Sequence, residues 1–185
     1  MQIRRYTDND AQRWDQFVGD SKNGTFLFFR NYMDYHSNRF KDCSLLFYHK
    51  NKLVALLPAN YNSNERCIES HGGLTYGGLV MGNSMHSPLA LDIMQTAVQY
   101  YRLNFEADRI IYKPIPYIYS TNPSQEDLYA IFRLNGKVIA KGLSTVIDLD
   151  NALPMQTLRK RCASKALKNG VSVRPGNTNG DLENY

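Results

Sequence analysis

The sequence predicts an α/β (α+β-like) module, a mixed and mostly antiparallel sheet flanked by helices. Three observations predict it. Short apolar runs separated by polar turns follow one another between Cys43 and Ser70, the pattern of an antiparallel meander. A glycine-rich stretch from Ser70 to Gly82 comes next. Pro88–Phe105 then repeats apolar residues at helical spacing and leads into a further apolar run, Arg109–Lys113. A helix between two strands of one sheet implies a crossover, which makes those strands parallel.

Taken in order, Met1–Tyr6 reads as an opening strand. Asp8 caps a helix through about Gly19, with Ala11, Trp14, Phe17 and Val18 on one face. Asn23-Gly24 is a turn before the apolar run Thr25–Phe29. A short helix over Arg30–His36 carries Tyr32, Met33 and Tyr35. Cys43–His49 and Leu53–Tyr61 form a hairpin about the turn Lys50-Asn51, and Pro58 marks an edge or bulge in its second strand. After the turn Asn62–Glu65, Arg66–Ser70 leads into the glycine-rich stretch.

Ser87-Pro88 reads as an N-cap followed by proline at the first helical position. In the long helix Ala90, Ile93, Met94, Ala97, Val98, Tyr101 and Phe105 share a face. Pro123–Leu134 is a further helix with Leu128, Ile131 and Phe132 inward. Asn135-Gly136 turns into a long strand over Lys137–Leu149. Pro154–Asn169 is a helix of another kind, with a thin apolar stripe of Leu158, Cys162 and Ala166 among Arg159, Lys160, Arg161, Lys165 and Lys168. Gly170 fits its C-terminal cap, and Val171–Arg174 reads as a strand. Asp181–Tyr185 has the look of a helix start.

Composition narrows the function classes. The chain of 185 residues is long enough for one good core, and its hydrophobic content of 43% is that of an ordinary soluble domain. The net charge of +5 is uneven: residues 1–150 carry +1 and residues 151–185 carry +4. The three cysteines, Cys43, Cys67 and Cys162, are widely spaced and form no Cys-x-x-Cys. That pattern argues against a disulfide framework or a zinc site, and for buried free thiols in a reducing cytoplasm. The N-terminus has no apolar core of a signal peptide, and no apolar run reaches the roughly 20 residues of a membrane span. Neither Gly-x-Ser-x-Gly nor a Ser-His-Asp order is present, so hydrolase chemistry has no support.

The glycine-rich stretch is the organising segment. A strand, a glycine-rich turn and a helix N-terminus make an anion-binding arrangement. Yet Gly-x-Gly-x-x-Gly and the P-loop spacing are both absent. A bulged strand whose glycines serve packing is the competing reading. Candidate substrate- or cofactor-binding residues are His71, Gly72, Gly73, Tyr76, Gly77, Gly78 and Tyr117, with no catalytic residue assigned and no metal ligand. For each a structural role stands beside the functional one. His71 reads either as a general base or as a histidine satisfied by backbone, and the tyrosines either line a cleft or pack at a rim. Asp148 and Asp150 are either paired carboxylates or a solvated strand end. The basic helix after Pro154 either contacts phosphate, packs under another module or is a solvated face.

The element order resembles the acyl-CoA N-acyltransferase fold of the GNAT superfamily. Several segments are similar to the tandem-GNAT proteins of bacteria, relatives of the Fem-type peptidoglycan-bridge aminoacyltransferases. They are Trp14–Val18 through Asn23–Leu27, Arg30, Tyr32–His36, Leu53–Ala59, His71–Leu79 and the basic helix Leu158–Gly170. The resemblance implies two modules. Residues 1–150 are the GNAT-like N-terminal module, and 151–185 are the first helix and strand of a second module whose remainder is missing. It also implies a cytoplasmic enzyme that transfers an acetyl or aminoacyl group to an amine of a small molecule or a cell-wall precursor. The donor is acetyl-CoA or another acyl-CoA, or alternatively an aminoacyl-tRNA, which is the one case that brings in nucleic acid. Single-module relatives carry Gln/Arg-x-x-Gly-x-Gly/Ala in their pyrophosphate turn, whereas this chain has Leu79-Val80-Met81-Gly82-Asn83-Ser84. That departure implies an inactive fragment, or a non-catalytic binding module that has lost its donor site. An apolar stripe left without part of its partner further implies weak docking or a weak homodimer.

Overall fold

A computed structural model describes residues 1–175, which form two compact units, Met1–Val138 and the segment from Ile139 onward. The expected helix start at Asp181–Tyr185 lies outside the described residues.

The first unit is a three-layer α/β arrangement with two four-stranded sheets. One sheet has the order β1 (Gln2–Arg5), β3 (Leu45–His49), β4 (Lys52–Leu57), β7 (Val80–Met81), all antiparallel. The other has the order β2 (Lys41–Asp42), β5 (Asn60–Asn62), β6 (Cys67–Glu69), β8 (Arg109–Ile111). Its last pair, β6 and β8, is parallel and is joined through the long helix α3 (Ser87–Phe105), the crossover that the sequence predicts. The other helices are α1 (Ala11–Asp20), α2 (Arg30–Met33) and α4 (Glu126–Arg133).

The meander differs from expectation in one respect: a single ladder is broken into two sheets. Pro58 has no N–H to donate, so the strand expected over Leu53–Tyr61 stops at Leu57 and resumes at Asn60. On the facing side the strand expected over Cys43–His49 breaks at Cys43-Ser44. The Ser44 hydroxyl fills the gap by accepting from the Ala59 amide at 3.1 Å, and the Cys43 amide donates to the Ala59 carbonyl at 2.9 Å. The hairpin turn is as read: Lys50 and Asn51 both have positive φ, 48° and 62°, which matches the twist of a two-residue hairpin.

The central strands are buried on both faces. Leu45, Phe47, Ala55 and Leu57 pack with Ile93, Ala97 and Tyr101 of α3 and with Ala130 of α4. Leu46, Leu56 and Val80 point the other way, onto Trp14, Val18, Phe28 and Met33 of the α1–α2 side. This is why Leu45-Leu46-Phe47 is a continuous apolar run with no alternation. The predicted α1 face is the buried one, and Trp14 is anchored by its ring N–H donating to the Phe28 carbonyl at 2.7 Å.

Other readings are corrected. In α4 the buried positions are Asp127 and Ala130, while Phe132 is 73% exposed and Leu128 also lies outward. Ile131 packs on the core as expected, while Asp127, bonded by Tyr112, is the inward residue in place of Leu128 and Phe132. Lys137–Leu149 forms no strand, nor does Val171–Arg174. A strand needs a ladder, and among the described residues neither segment has a pairing partner. The two compact units divide after Val138. Finally, Cys43 and Cys67 are buried but Cys162 is exposed.

In the second unit α5 (Thr157–Lys168) forms within the predicted span and buries no side chain. Gly170 has φ +80°, its amide donates to the Leu167 carbonyl, and the Val171 amide donates to the Ala166 carbonyl at 3.1 Å. These two bonds are the Schellman cap that Gly170 predicts.

Candidate functional site

The loop between β6 and β7, residues 70–79, is held on both sides by backbone bonds. The Ser70 amide donates to the Ile111 carbonyl at 3.0 Å, and the Gly77 amide donates to the Lys113 carbonyl at 3.0 Å. The Lys113 amide returns a bond to the Ser70 hydroxyl at 2.7 Å, and the Lys113 ammonium donates to the Leu74 carbonyl. The Gly72 amide donates to the Asn60 side chain, and the Leu74 amide closes a turn on the His71 carbonyl at 3.1 Å. A Cβ on Gly77 would lie 1.4 Å from the Ser70 carbonyl oxygen, and Gly78 has φ +88°. Close backbone approach and a left-handed turn thus account for this glycine pair.

The loop presents His71, Gly73 and Leu74 to a cavity of about 530 Å³. The opposite wall comes from the chain entering and leaving α2: Phe26, Phe29, Asn31, Tyr32, Met33 and Tyr35. Phe26 and Tyr32 meet edge to face at 5.3 Å and are 62% and 48% exposed. α2 itself is fixed by the buried Arg30. Its guanidinium bonds Asp42 at 2.8 Å and Asp34 at 3.0 Å, and it lies 3.5 Å from the centroid of the Tyr6 ring.

His71 is 4% exposed and packs on the Phe40 ring at 5.4 Å. Burial pushes its pKa down to about 4. The nearby Asp42 opposes that shift, and Arg30 and Lys113 add to it. The imidazole is therefore neutral near pH 7. Its Nδ1 is enclosed and has no partner.

The other candidates are placed elsewhere. The Tyr76 hydroxyl bonds the Thr25 hydroxyl at 3.1 Å, and its ring stacks on Tyr119 at 5.3 Å. Tyr117 is 67% exposed and borders a separate depression with Ile118, Pro123 and Glu126. Of the seven candidates only His71 and Gly73 line the α2 cavity, and Gly72, Gly77 and Gly78 shape the loop behind it. A depression of about 600 Å³ beside the end of α3 holds Arg66 and Arg109, but Arg66 is paired with Asp108 at 2.8 Å and Arg109 with Glu65.

Asn23 is a contributor that the sequence reading treated only as a turn residue. Its side chain donates to the Leu79 carbonyl at 2.9 Å and accepts from the Met81 amide at 2.7 Å, standing in for a strand beside β7. No local signal marks this, because its partners lie more than fifty residues away.

Of the two readings of the glycine-rich stretch, packing rather than an anion site fits the start of α3. The N-cap is His86 rather than Ser87, and its Nδ1 accepts from the Leu89 amide at 3.3 Å. Pro88 has no N–H, and the Ala90 amide is bonded to the His86 carbonyl at 3.0 Å. The first-turn donors that would face an anion are largely committed. Between β7 and β8, the half-buried Tyr112 bridges the gap. Its hydroxyl accepts from the Leu79 amide at 2.7 Å and donates to Asp127 at 2.5 Å. Burial raises the pKa of Asp127 and that of Tyr112. Tyr112→Phe strands the buried Leu79 amide and takes one hydrogen bond from the buried Asp127 carboxylate. It is expected to cost about 1–3 kcal/mol, read from the urea midpoint followed by the fluorescence of Trp14. An unchanged midpoint would remove the bridge from this account.

Among the described residues no group of three or more His, Cys, Asp or Glu is placed to hold a metal ion, and no helix is long and apolar enough to cross a membrane. No family model matches the chain, and no curated protein matches it. Among solved structures, the chain is similar to the apo aminoglycoside antibiotic 6'-N-acetyltransferase AAC(6')-IG from Acinetobacter haemolyticus. That match has 14% identity over 80% of this chain and 100% of that one, with a TM-score of 0.46. It is also similar to a probable acetyltransferase at 13% identity, over 84% of this chain and 99% of that one, with a TM-score of 0.42.

Proposed function

We propose that this chain is the N-terminal module of a GNAT-like N-acyltransferase, that it transfers an acetyl or aminoacyl group to an amine, and that the α2 cavity holds the amine-bearing acceptor. The observation that carries the reading is the crossover: an antiparallel meander followed by parallel β6 and β8 joined through α3. The superfamily that the sequence resembles is built in this order. In the reaction the amine nitrogen attacks the acyl carbonyl carbon. A C–N bond forms as the thioester C–S bond, or the ester C–O bond of an aminoacyl-tRNA, breaks. The departing sulfur or ribose oxygen takes up the proton that the nitrogen loses. The cavity's part is positioning, which converts an encounter of two molecules into a reaction within one complex.

A second reading has its own observation. The committed amides of α3 and the Tyr112 bridge leave little room for a donor pyrophosphate and its chain in this unit. They favour either a donor held by another module or a binding module without catalysis. The experiment uses the whole protein that contains this chain. It is incubated with acetyl-CoA or with aminoacyl-tRNA, together with small-molecule and cell-wall-precursor amines, and products are read by mass spectrometry. Acyl transfer from either donor is the expected result. Absence of transfer, together with no saturable binding of either donor by calorimetry, overturns the enzyme reading and leaves the binding module.

A further inference from the structure

We propose that the α2 cavity binds an uncharged ligand with an aromatic body and a hydrogen-bond acceptor such as a carbonyl oxygen, the acceptor taking a bond from the Nε2–H of His71. This names the ligand class of the acceptor pocket as an amine that stays uncharged near pH 7, such as an arylamine, and rests on that reading for its role in catalysis, but not for binding.

The first support is the wall. A cavity of about 530 Å³ is within the range of small-molecule sites, which is roughly 300–1,000 Å³. Every residue lining it is uncharged near pH 7, and four of them, Phe26, Phe29, Tyr32 and Tyr35, carry rings. Phe26 and Tyr32 remain largely exposed although they touch each other, so core packing does not account for them. A flat apolar body offers Phe26 and Tyr32 further edge and face contacts.

The second support is the polarity of His71. Its two ring nitrogens differ. Nδ1 is enclosed without a partner, while Nε2 has no protein partner and is not enclosed. A neutral imidazole carries one N–H and one lone pair. Buried N–H groups without an acceptor are rarer than acceptors left short of a donor, so the enclosed Nδ1 holds the lone pair. The proton then sits on Nε2, which makes His71 a donor toward the cavity. This assignment replaces the general-base reading of His71, which needs a lone pair there.

The third support is charge. Of the carboxylates near the cavity, Asp34 and Asp42 are already bonded to Arg30, and Glu69, beside Gly72, acts on Lys113. A cationic ligand would approach Arg30 and Lys113 with no free carboxylate to answer it.

The test uses the chain with three probes of one ring: acetophenone, which carries an acceptor, isopropylbenzene, which is of similar size without oxygen, and phenyltrimethylammonium. Binding is followed by NMR shift changes. Acetophenone is expected to bind about fivefold more tightly than isopropylbenzene, the size of one net hydrogen bond, with shifts centred on residues 26–35 and 71–74. His71→Phe is expected to erase that preference and keep the binding of isopropylbenzene. Nitrogen NMR of the wild-type imidazole, which needs no variant, is expected to show the proton on Nε2. Equal binding of the two neutral probes, tighter binding of the cation, shifts centred elsewhere or a proton on Nδ1 each overturn the proposal. Failure of acyl transfer in the whole protein would leave these results standing, so the two readings fail separately.

Discussion

Gly77→Ala is expected to destabilise the first unit by about 3 kcal/mol and to dismantle the α2 cavity with it. The new methyl would lie 1.4 Å from the Ser70 carbonyl oxygen, which is backbone and cannot rotate away. Ser70 is itself bonded to Ile111 and Lys113, and Gly77 to Lys113. Relief therefore requires the loop to leave β8, and His71, Gly73 and Leu74 leave the cavity wall with it. The urea midpoint, followed by the fluorescence of Trp14, measures the loss. Gly19→Ala is the control, because a Cβ there meets nothing within 4 Å. A Gly77→Ala midpoint equal to wild type would show that the loop is not anchored as described.

Acidification is expected to remove stability through His71. Its pKa is about 4 in the fold against 6.5 for the free side chain, because burial disfavours the imidazolium. Between those two values the unfolded chain binds a proton that the folded chain does not. The contribution is fully present above pH 6.5, declines as the pH falls and is lost below about pH 4. A shift of that size corresponds to about 3 kcal/mol in total. Other groups titrate in the same window. The Lys22 and Ser124 hydrogen bonds hold the Glu126 pKa down against its burial, which adds to the acid loss. Asp127 and Asp34, raised by burial, oppose it. The informative quantity is therefore the difference between wild type and His71→Phe, measured by urea unfolding from pH 7 to pH 4. The wild type is expected to lose stability faster with falling pH, and parallel curves would rule out a buried neutral His71.

Both effects meet in a loop whose importance is visible in the sequence but whose geometry is not. The glycines of residues 72–78 stand out in any reading of the chain. What they do is set by contacts at long range, with Asn60 before them and Tyr112 and Lys113 after them. The same holds for the aromatic wall. The sequence places Tyr32, Met33 and Tyr35 on a short helix, and only the fold brings them opposite His71. Asp127 shows the limit of periodicity. Apolar spacing alone turns Leu128 and Phe132 inward, yet Asp127, bonded by Tyr112, is the inward residue in their place.

By itself the sequence determined what depends on neighbours within a turn or two. It placed the buried face of α1, the span of α3, the Lys50-Asn51 hairpin, an irregularity at Pro58 and the cap at Gly170. Each of these follows from side-chain period, a missing N–H or a positive φ, all properties of the local chain. Only the tertiary structure decided whether Lys137–Leu149 would be a strand, which face α4 would bury, and that His86 and Tyr112 would occupy the positions open to an anion. It also decided that His71 would be buried and neutral beside an aromatic cavity. The reason is common to all of these: a backbone ladder, a buried hydrogen bond and a desolvated imidazole each need a partner or an environment supplied by residues distant in the chain, and local pattern carries no information about which of them will arrive.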